Sequence, residues 1–292
     1  MRLGHALWER LRVEPGQQPG LASRQTSGSQ LLGNKAADRD LDDFTAELAV
    51  AQERLYSTDS RSLLIVLQGL DAAGKDGTIK HVMSGMNPQA CVVTSFKEPS
   101  KEELAHDFLW RAAIRLPPSG YIGIFNRSYY EDVLVVRVHP DRLASRPDST
   151  GEPPNDTFWR RRHDDINAFE RHLDRNGTQV VKFFLHLSKE EQRRRLLDRL
   201  DDPTKNWKFS PSDLAERSFW SDYQAVYEEV LTATSTKWAP WFVIPADDKH
   251  VARALVAWVI VRRIESMALP SQPLAPETES AIEAARARLL AE

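Results

Sequence analysis

The fold is decided by one stretch of the sequence, residues 63–78, which reads LLIVLQGLDAAGKDGT. Its apolar first half is typical of a buried β-strand, and a glycine-punctuated loop and a helical pattern follow. Gly69 and Gly74 allow the backbone to turn so that its N–H groups converge on an anion, and Lys75 supplies a positive charge. The stretch therefore predicts a phosphate-binding loop between a strand and a helix, against the alternative of a tight turn with an exposed lysine.

One position departs from the usual pattern G-x-x-x-x-G-K-[ST] of such loops. Asp76 stands where a serine or threonine hydroxyl normally holds Mg²⁺. A metal ion needs another ligand here, and Asp71 inside the loop is the nearest candidate. The residues predicted to bind phosphate are Gly69, Ala72, Ala73, Gly74, Lys75, Asp76, Gly77 and Thr78.

Composition limits the classes of protein to consider. The 292 residues, 41% of them hydrophobic, can bury the core of one large domain, and a net charge of −3 argues against a globally basic, nucleic-acid-coating protein. The only cysteine, Cys91, cannot form an intramolecular disulfide and lies in an apolar run, so we expect a core residue in a reducing compartment. The charged N-terminus is not a signal peptide, and no apolar run approaches the roughly 20 residues of a membrane span. We expect a cytoplasmic protein without a membrane partner.

Strand-like and helical patterns alternate along the chain. The predicted strands are 63–67, 91–95, 121–125, 180–187 and 241–245. The predicted helices are 40–56, 75–86, 101–115, 157–175, 189–200, 211–234 and 252–264, with Ser188 and Glu191 as a capping box. This alternation predicts an α/β fold of three layers, a doubly wound five-stranded parallel sheet with helices on both faces.

Three regions follow from composition. Residues 1–37 are expected to form a flexible N-terminal arm, because the segment from Pro15 to Ala37 is rich in Gly, Gln, Ser and Pro, with little to bury. Residues 38–268 form the folded domain, interrupted by a Pro/Asp-rich loop at 140–156. Residues 269–292 are a C-terminal tail with one more short helix.

A second candidate motif follows the third strand, where NRSYYED occupies residues 126–132. In open α/β sheets ligands bind where strands end and helices begin. Arg127 there can reach a transferring phosphoryl group, and Asp132 can hold Mg²⁺. Residues 126–128 are also expected to cap a helix that follows the third strand. The alternatives are that Arg127 only pairs with a neighbouring carboxylate and that Asp132 only complements the positive end of this helix.

The helix after the fourth strand is rich in arginine, with KEEQRRRLLDR at residues 189–199. Arginine grips phosphate oxygens with a planar fork, so this helix and the Pro-broken segment after it predict a helical lid at about 193–215 in which at least two arginines contact substrate. The alternative is a solvated face of i,i+4 ion pairs, Glu190–Arg194 and Glu191–Arg195.

Several motifs in one order carry a resemblance to a known family. Besides residues 69–78, they are FNRSYYEDVLVVRVH at 125–139, KFFLHLSKEEQR at 182–193, WKF at 207–209 and APWFVIPA at 239–246. Over about residues 40–265 the chain resembles the family-2 polyphosphate kinases, P-loop (Walker A) kinases related to thymidylate kinases. The pair Glu131-Asp132 is similar to the class III members, which phosphorylate both AMP and ADP.

The resemblance implies transfer of the terminal phosphate of inorganic polyphosphate to AMP or ADP, with Mg²⁺, or Mn²⁺ in its place, in a homodimer or homotetramer. Asp71 and Asp132 would bind the metal, Lys75 would bind phosphate, and Glu131 would help admit the shorter nucleotide. The residues implied to line the polyphosphate path are Arg111, Arg127, Arg193 and Arg194.

Other functions remain to be weighed. A nucleoside-monophosphate kinase that uses ATP as donor would share the loop and the lid arginines, but it needs an adenine pocket on the donor side. The arginine surplus instead favours a base-free, cation-lined channel. A non-catalytic nucleotide-binding module would be expected to have an eroded loop or second motif, and both motifs are intact here. Nucleic-acid binding is disfavoured because no aromatic residues are interleaved with the basic ones.

Overall fold

The computed structural model describes residues 4–32, 34–143, 154–270 and 276–292. Its strands are β1 (Ser62–Gln68), β2 (Cys91–Ser95), β3 (Ile122–Asn126), β4 (Thr178–His186) and β5 (Trp241–Pro245). They form one sheet in the order β2-β3-β1-β4-β5, and every pairing is parallel. The predicted five-stranded parallel sheet is confirmed. The chain adds β2 and β3 on one side of β1 and then β4 and β5 on the other side. The carboxyl end of β1 therefore lies at a topological switch point, where α/β proteins bind ligands.

Helices cover both faces of this sheet. Those within the described residues are α1 (His5–Leu11), α2 (Asn34–Thr58), α3 (Lys75–Val82), α4 (Lys101–Leu104), α5 (Trp110–Ala113), α6 (Val135–Val138), α7 (Asp156–Arg175), α8 (Lys189–Asp201), α9 (Pro211–Ser218), α10 (Trp220–Thr234), α11 (Lys249–Glu265) and α12 (Pro276–Leu290). No helix within these ranges combines the length and the apolar character that a bilayer crossing requires.

The alternation of side chains along β1 divides the core into two layers. Leu63, Ile65 and Leu67 pack with α2, α3 and α11 on one face of the sheet. Leu64 and Val66 pack with α7 and α10 on the other face. All seven residues of β1 are buried, which is expected of a central parallel strand covered on both sides. This burial explains the uninterrupted apolar run at residues 63–67.

The predicted helix 101–115 is wrong in its centre. Ser100 and Glu103 form a reciprocal capping box on α4, which ends at Leu104. The Asp107 carboxylate then accepts a hydrogen bond of 3.0 Å from the N–H of Leu109, and α5 begins only at Trp110. Such a local side-chain acceptor stabilises a turn in place of a helix. The predicted helix 211–234 is also divided, into α9 and α10, with Phe219 between them.

The capping box predicted for α8 is only half formed. Ser188 Oγ accepts from the N–H of Glu191 at 3.1 Å, as predicted. The reciprocal bond is replaced, because the N–H of Ser188 donates to Asp247 at 2.8 Å. The Glu191 carboxylate accepts from Arg194 and Arg195 instead.

The described part of the N-terminal segment packs on the domain. The N–H of Val13 donates to the Trp241 carbonyl of β5 at 2.9 Å, and Glu228 of α10 accepts from the N–H groups of Gly20 and Leu21. Leu21 and Leu32 are buried, so the expectation that this segment has little to bury is wrong for them. Residues 144–153 of the predicted 140–156 loop lie outside the described residues.

Candidate active site

The loop between β1 and α3 contains two residues with a left-handed backbone conformation. Gly74 adopts φ +104° and Ala72 adopts φ +64°, so the chain turns sharply before α3 begins at Lys75. A Cβ on Gly69 would lie 3.0 Å from the Ala73 Cβ and 3.2 Å from the Leu185 Cβ, so any other residue there would require these neighbours to shift. A left-handed non-glycine residue such as Ala72 persists only where its surroundings hold it, and such residues cluster at functional sites.

Lys75 lies inside this loop. Its ammonium donates to the carbonyls of Gly69 at 2.6 Å and Leu70 at 3.2 Å. Burial, and then the charge of Arg127, lower its pKa from 10.5 to about 8, against the opposing effect of nearby carboxylates. A positive charge at the start of a helix is a common element of anion sites. The phosphate-binding role of Lys75 stays a prediction from the sequence.

An arginine bridges the first and second motifs. Arg127 Nη2 donates to Asp71 Oδ1 at 2.7 Å, and its Nη1 donates to Glu131 Oε2 at 2.9 Å. The two carboxylates, Glu131 first, raise the pKa of the guanidinium further above its ordinary value. Arg127 has φ +61°, a second left-handed non-glycine residue at the site. The pairing alternative for Arg127 is therefore realised, and it also brings the arginine to the loop.

Asp76, the residue that replaces the usual hydroxyl, lies at the other side of the loop. It is exposed, and its Oδ1 accepts a hydrogen bond of 2.7 Å from Asn126 Nδ2 at the end of β3. Asp76 therefore ties the first turn of α3 to the second motif, a contact that the sequence did not predict.

A cavity runs from the loop to the helices that follow α8. Its walls include Asp71, Arg127 and Glu131 on one side and an aromatic face of α10 on the other. The polar and aromatic lining residues that sequence reasoning missed are Gln192, Glu216, Arg217, Trp220, Tyr223 and Tyr227. The spacing of the three aromatic residues, 220, 223 and 227, places them on one side of a helix and is the signal that could have found them.

Two predicted site residues lie in other environments. Asp132 is buried, its Oδ1 lies 3.8 Å from Arg162 Nη1 on α7, and it is not among the residues that line this cavity. Arg111 is buried too, and it donates to the Lys97 carbonyl at 2.8 Å with its guanidinium over the Phe96 ring. The structure gives both residues partners outside the cavity, and their predicted roles stay predictions.

The arginines of α8 divide in an unexpected way. Arg193 and Arg194 are 61% and 56% exposed and pair with Glu190 and Glu191 respectively, at i,i+3. They form a solvated face, as in the alternative interpretation, but Arg194 pairs with Glu191 and not with the expected Glu190. The expected pair Glu191–Arg195 is present and largely buried. Arg195 instead is buried and donates to the Ala72 and Ala73 carbonyls of the loop, both at 3.0 Å. Among Arg193, Arg194 and Arg195, the residue that contacts the loop is thus Arg195, which was not predicted as a site residue.

A buried ion pair contacts the tyrosines of the second motif. Lys182 on β4 donates to Glu170 at 2.6 Å, to the Tyr130 hydroxyl at 2.8 Å and to the Thr234 carbonyl at 2.7 Å. Glu170 also accepts from the hydroxyls of Tyr129 and Tyr130, at 2.8 and 2.9 Å. Burial lowers the pKa of Lys182 to about 8 and raises that of Glu170. These contacts fix the tyrosines that precede Glu131.

The donor set fits a metal ion that is completed by substrate. Within the described ranges, no group of three or more His, Cys, Asp or Glu side chains is placed to hold a metal. Mg²⁺ is commonly held by one or two carboxylates together with substrate phosphates and water. Asp71 faces the cavity and suits that role, while Asp132 faces Arg162. When bound with phosphate, the ion would neutralise charge on the phosphoryl oxygens.

Comparisons with known proteins identify relatives of this chain. The family model of polyphosphate kinase 2 matches residues 32–272. The chain is 51% identical over 243 residues to the ADP-polyphosphate phosphotransferase of Rhodopseudomonas palustris, covering 83% of this chain and 84% of the relative. It is 44% identical over 248 residues to the AMP/ADP-polyphosphate phosphotransferase of Meiothermus ruber, covering 85% and 88%.

A solved structure gives the same result for the fold. The crystal structure of polyphosphate kinase 2 from Arthrobacter aurescens TC1 superposes with a TM-score of 0.83 at 38% identity, covering 95% of this chain and 96% of that chain. The sheet order, the loop after β1 and the match over most of the sequence lead to one conclusion: the chain belongs to the polyphosphate kinase 2 family.

Proposed function

We propose that this protein transfers the terminal phosphoryl group of inorganic polyphosphate directly to AMP and ADP, forming ADP and ATP. The observation that carries the proposal is the convergence of Lys75, Asp71 and Arg127 at the carboxyl end of β1. Phosphoryl transfer needs little covalent chemistry from a protein, but it needs in-line positioning and cations around the migrating group. The names of the relatives, which act on polyphosphate with ADP or with AMP and ADP, support the same reaction.

Each residue of the site has a defined task in this reaction. The loop N–H groups and Lys75 bind the phosphate next to the bond that breaks. Asp71 would hold Mg²⁺, or Mn²⁺ in its place, together with phosphate oxygens. Arg127 is close enough to the loop to turn from its two carboxylates to the transferring group, where its fixed charge stabilises the equatorial oxygens.

The proposal also specifies which nucleotides accept the phosphoryl group. Glu131 and the aromatic residues of α10 line the same cavity, so a nucleotide there would meet Glu131 near its phosphate end and aromatic surface at its base. We propose that both AMP and ADP are accepted, as the pair Glu131-Asp132 implies. Assembly as a homodimer or homotetramer and a cytoplasmic location stay predictions from the sequence.

The test is an assay without any nucleotide donor. Purified protein, Mg²⁺ and polyphosphate are mixed with AMP or with ADP, and products are separated by chromatography. ADP and ATP formed from AMP would support the proposal, and product from ADP alone would restrict the acceptor to ADP. No product with polyphosphate, but transfer once ATP is supplied, would overturn it in favour of a nucleoside-monophosphate kinase. A Lys75→Ala preparation controls for contaminating kinases.

A further inference from the structure

Arg195 is the most completely bonded side chain near the loop. Its side chain is 5% exposed. Nη1 donates to the carbonyls of Ala72 and Ala73, each at 3.0 Å, and Nε donates to Glu191 at 2.7 Å. Nη2 donates to the carbonyls of Ala246 and Asp247, at 2.6 and 3.0 Å. A guanidinium has five N–H groups, and these bonds use all of its donor capacity on protein acceptors.

A second side chain of α8 extends this contact by one residue. Gln192 Nε2 donates to the Asp71 carbonyl at 2.9 Å. Gln192 and Arg195 together therefore hold three consecutive loop carbonyls, those of Asp71, Ala72 and Ala73. Gln192 is 3% exposed and Arg195 is 4% exposed as whole residues, so water does not compete for these bonds.

The direction of these carbonyls matters because a peptide group is planar and trans. Its C=O and N–H point in opposite directions, so fixing the carbonyl on one side fixes the next N–H on the other. The bond from Arg195 to the Ala73 carbonyl thus orients the N–H of Gly74 away from α8. Ala72, with φ +64°, lies within the held segment, where a free chain would relax to a different conformation.

Helix α9 is linked to one of these carbonyls through Gln192. Arg217 of α9 donates through Nη1 to Gln192 Oε1 at 2.8 Å and to the Lys189 carbonyl at 2.8 Å. Arg217 also lines the cavity. One amide side chain, Gln192, therefore connects α9 to the Asp71 carbonyl.

We propose that Arg195 and Gln192 are positioning residues, which set the peptide orientations of the phosphate-binding loop without contacting substrate, and that Arg217 couples helix α9 to the loop through Gln192. The kinetic part of the test rests on the proposed function. The structural part does not, because the order of the loop is measured without turnover.

The experiment compares Arg195→Lys with Arg263→Lys. Arg263 is a matched control, since its Nη2 also donates to a carbonyl, that of Trp238 at 3.0 Å, but near the amino end of β5. Both variants are expected to melt at a lower temperature. Only Arg195→Lys should lower kcat, by about 10²-fold, with the KM for nucleotide changed less than about threefold, because a small misplacement of catalytic groups costs that much rate.

Hydrogen exchange distinguishes a positioning role from a general effect on stability, because it measures the order of the loop separately from that of the sheet. Arg195→Lys should speed exchange of the amides of residues 69–78 while those of β4 exchange as in the wild type. Gln192→Met, which keeps the side-chain volume, should show a smaller effect of the same kind. Arg217→Met should speed exchange of the Ala72 amide, which belongs to the same peptide group as the Asp71 carbonyl.

Two results would overturn the proposal. One is wild-type loop exchange and kcat in folded Arg195→Lys. The other is a loss of kcat in Arg263→Lys equal to that in Arg195→Lys, which would indicate general destabilisation. If the wild type shows no transfer from polyphosphate, the proposed function fails, yet the exchange data still decide the role of Arg195.

Discussion

Arg127 Nη2 lies 2.7 Å from Asp71 Oδ1, and this ion pair joins two motifs that are 56 residues apart in the chain. It exists because β3 lies beside β1 in the sheet, so the carboxyl ends of the two strands meet. The pair places a permanent positive charge next to the loop that holds Lys75. The first predictions concern these charges.

Lys75→Ala should reduce transfer by at least about 10²-fold, because one preorganised positive contact to the developing charge is removed. Folding should be retained, since burial of the ammonium is itself unfavourable, as its lowered pKa indicates. Steady-state kinetics and thermal melting measure the two effects. Lys80→Ala, an exposed position on the same helix, is the control. Retained activity in Lys75→Ala would refute the phosphate-loop assignment.

Phosphate binding should weaken as the pH rises through about 8, because Lys75 is charged below its lowered pKa and neutral above it. Tripolyphosphate affinity measured by calorimetry from about pH 7 to about pH 9.5 tests this. Lys75→Arg, which stays charged, should show a flatter profile. An identical pH dependence in both proteins would contradict the prediction.

The lowered pKa of Lys75 affects stability in the opposite direction from phosphate binding as the pH rises. The folded-state pKa of Lys75 is below the ordinary 10.5, so between about 8 and 10.5 the folded protein binds fewer protons there than the unfolded chain. Stability from this residue therefore rises with pH in that window. Lys182, whose pKa is also lowered to about 8, acts in the same direction, which makes anion binding the better readout for Lys75.

Asp71→Asn should impair metal binding, whereas Asp132→Asn should mainly reduce stability. Asp71 faces the cavity, so Asp71→Asn should raise the Mg²⁺ concentration needed for half-maximal activity at least about tenfold, because even the loss of a partner of a metal ligand costs about that much affinity. Asp132 is buried beside Arg162, so Asp132→Asn should mainly lower the melting temperature. Mg²⁺ titrations and melting curves separate the two, and a metal defect confined to Asp132→Asn would reverse the assignment.

Glu131→Gln should shift acceptor preference from AMP towards ADP. Glu131 holds Arg127 at 2.9 Å and lines the cavity, so the loss of its charge changes the environment of the nucleotide phosphate. We expect the ratio of kcat/KM for AMP to that for ADP to fall about tenfold, roughly 1.4 kcal/mol. Glu102→Gln, at an exposed site on α4, serves as the control. An unchanged ratio would remove Glu131 from acceptor selection.

The buried pair below the second motif should be important for stability. Both Lys182 and Glu170 are 0% exposed, so Glu170→Ala should lower the free energy of unfolding by about 3–5 kcal/mol, because it leaves a buried charge unpaired. Removal of the exposed Arg193–Glu190 pair should cost less than about 1 kcal/mol. Urea denaturation measures both, and equal losses would contradict the prediction.

Much of the fold was predictable because the periodicity of the apolar residues is clear. The strands 91–95 and 241–245 were predicted with their observed bounds, and β1 differs by one residue at each end. The helix 101–115 was not, because the Asp107 side chain forms a local hydrogen bond that competes with helix formation. Propensity alone does not reveal which of two local hydrogen bonds prevails.

The site was predictable to the extent that its residues follow strands in sequence. The loop and Arg127 could be named because parallel strands place their carboxyl ends at one edge. Glu131 was named through the family resemblance. Which of Arg193, Arg194 and Arg195 contacts the loop could not be predicted. The three are identical residues next to one another on a helix, and they differ only in the direction in which each side chain points. Tertiary packing buried Arg195 and left the other two exposed.

The sequence by itself thus determined the parallel sheet, the loop after β1 and the family, because glycine spacing and buried apolar runs are local properties of the chain. Only the tertiary structure decided that Asp71 meets Arg127, that Asp132 faces Arg162, and that Arg195 holds the loop carbonyls. These are contacts between distant segments, and their geometry depends on how the helices pack on the sheet.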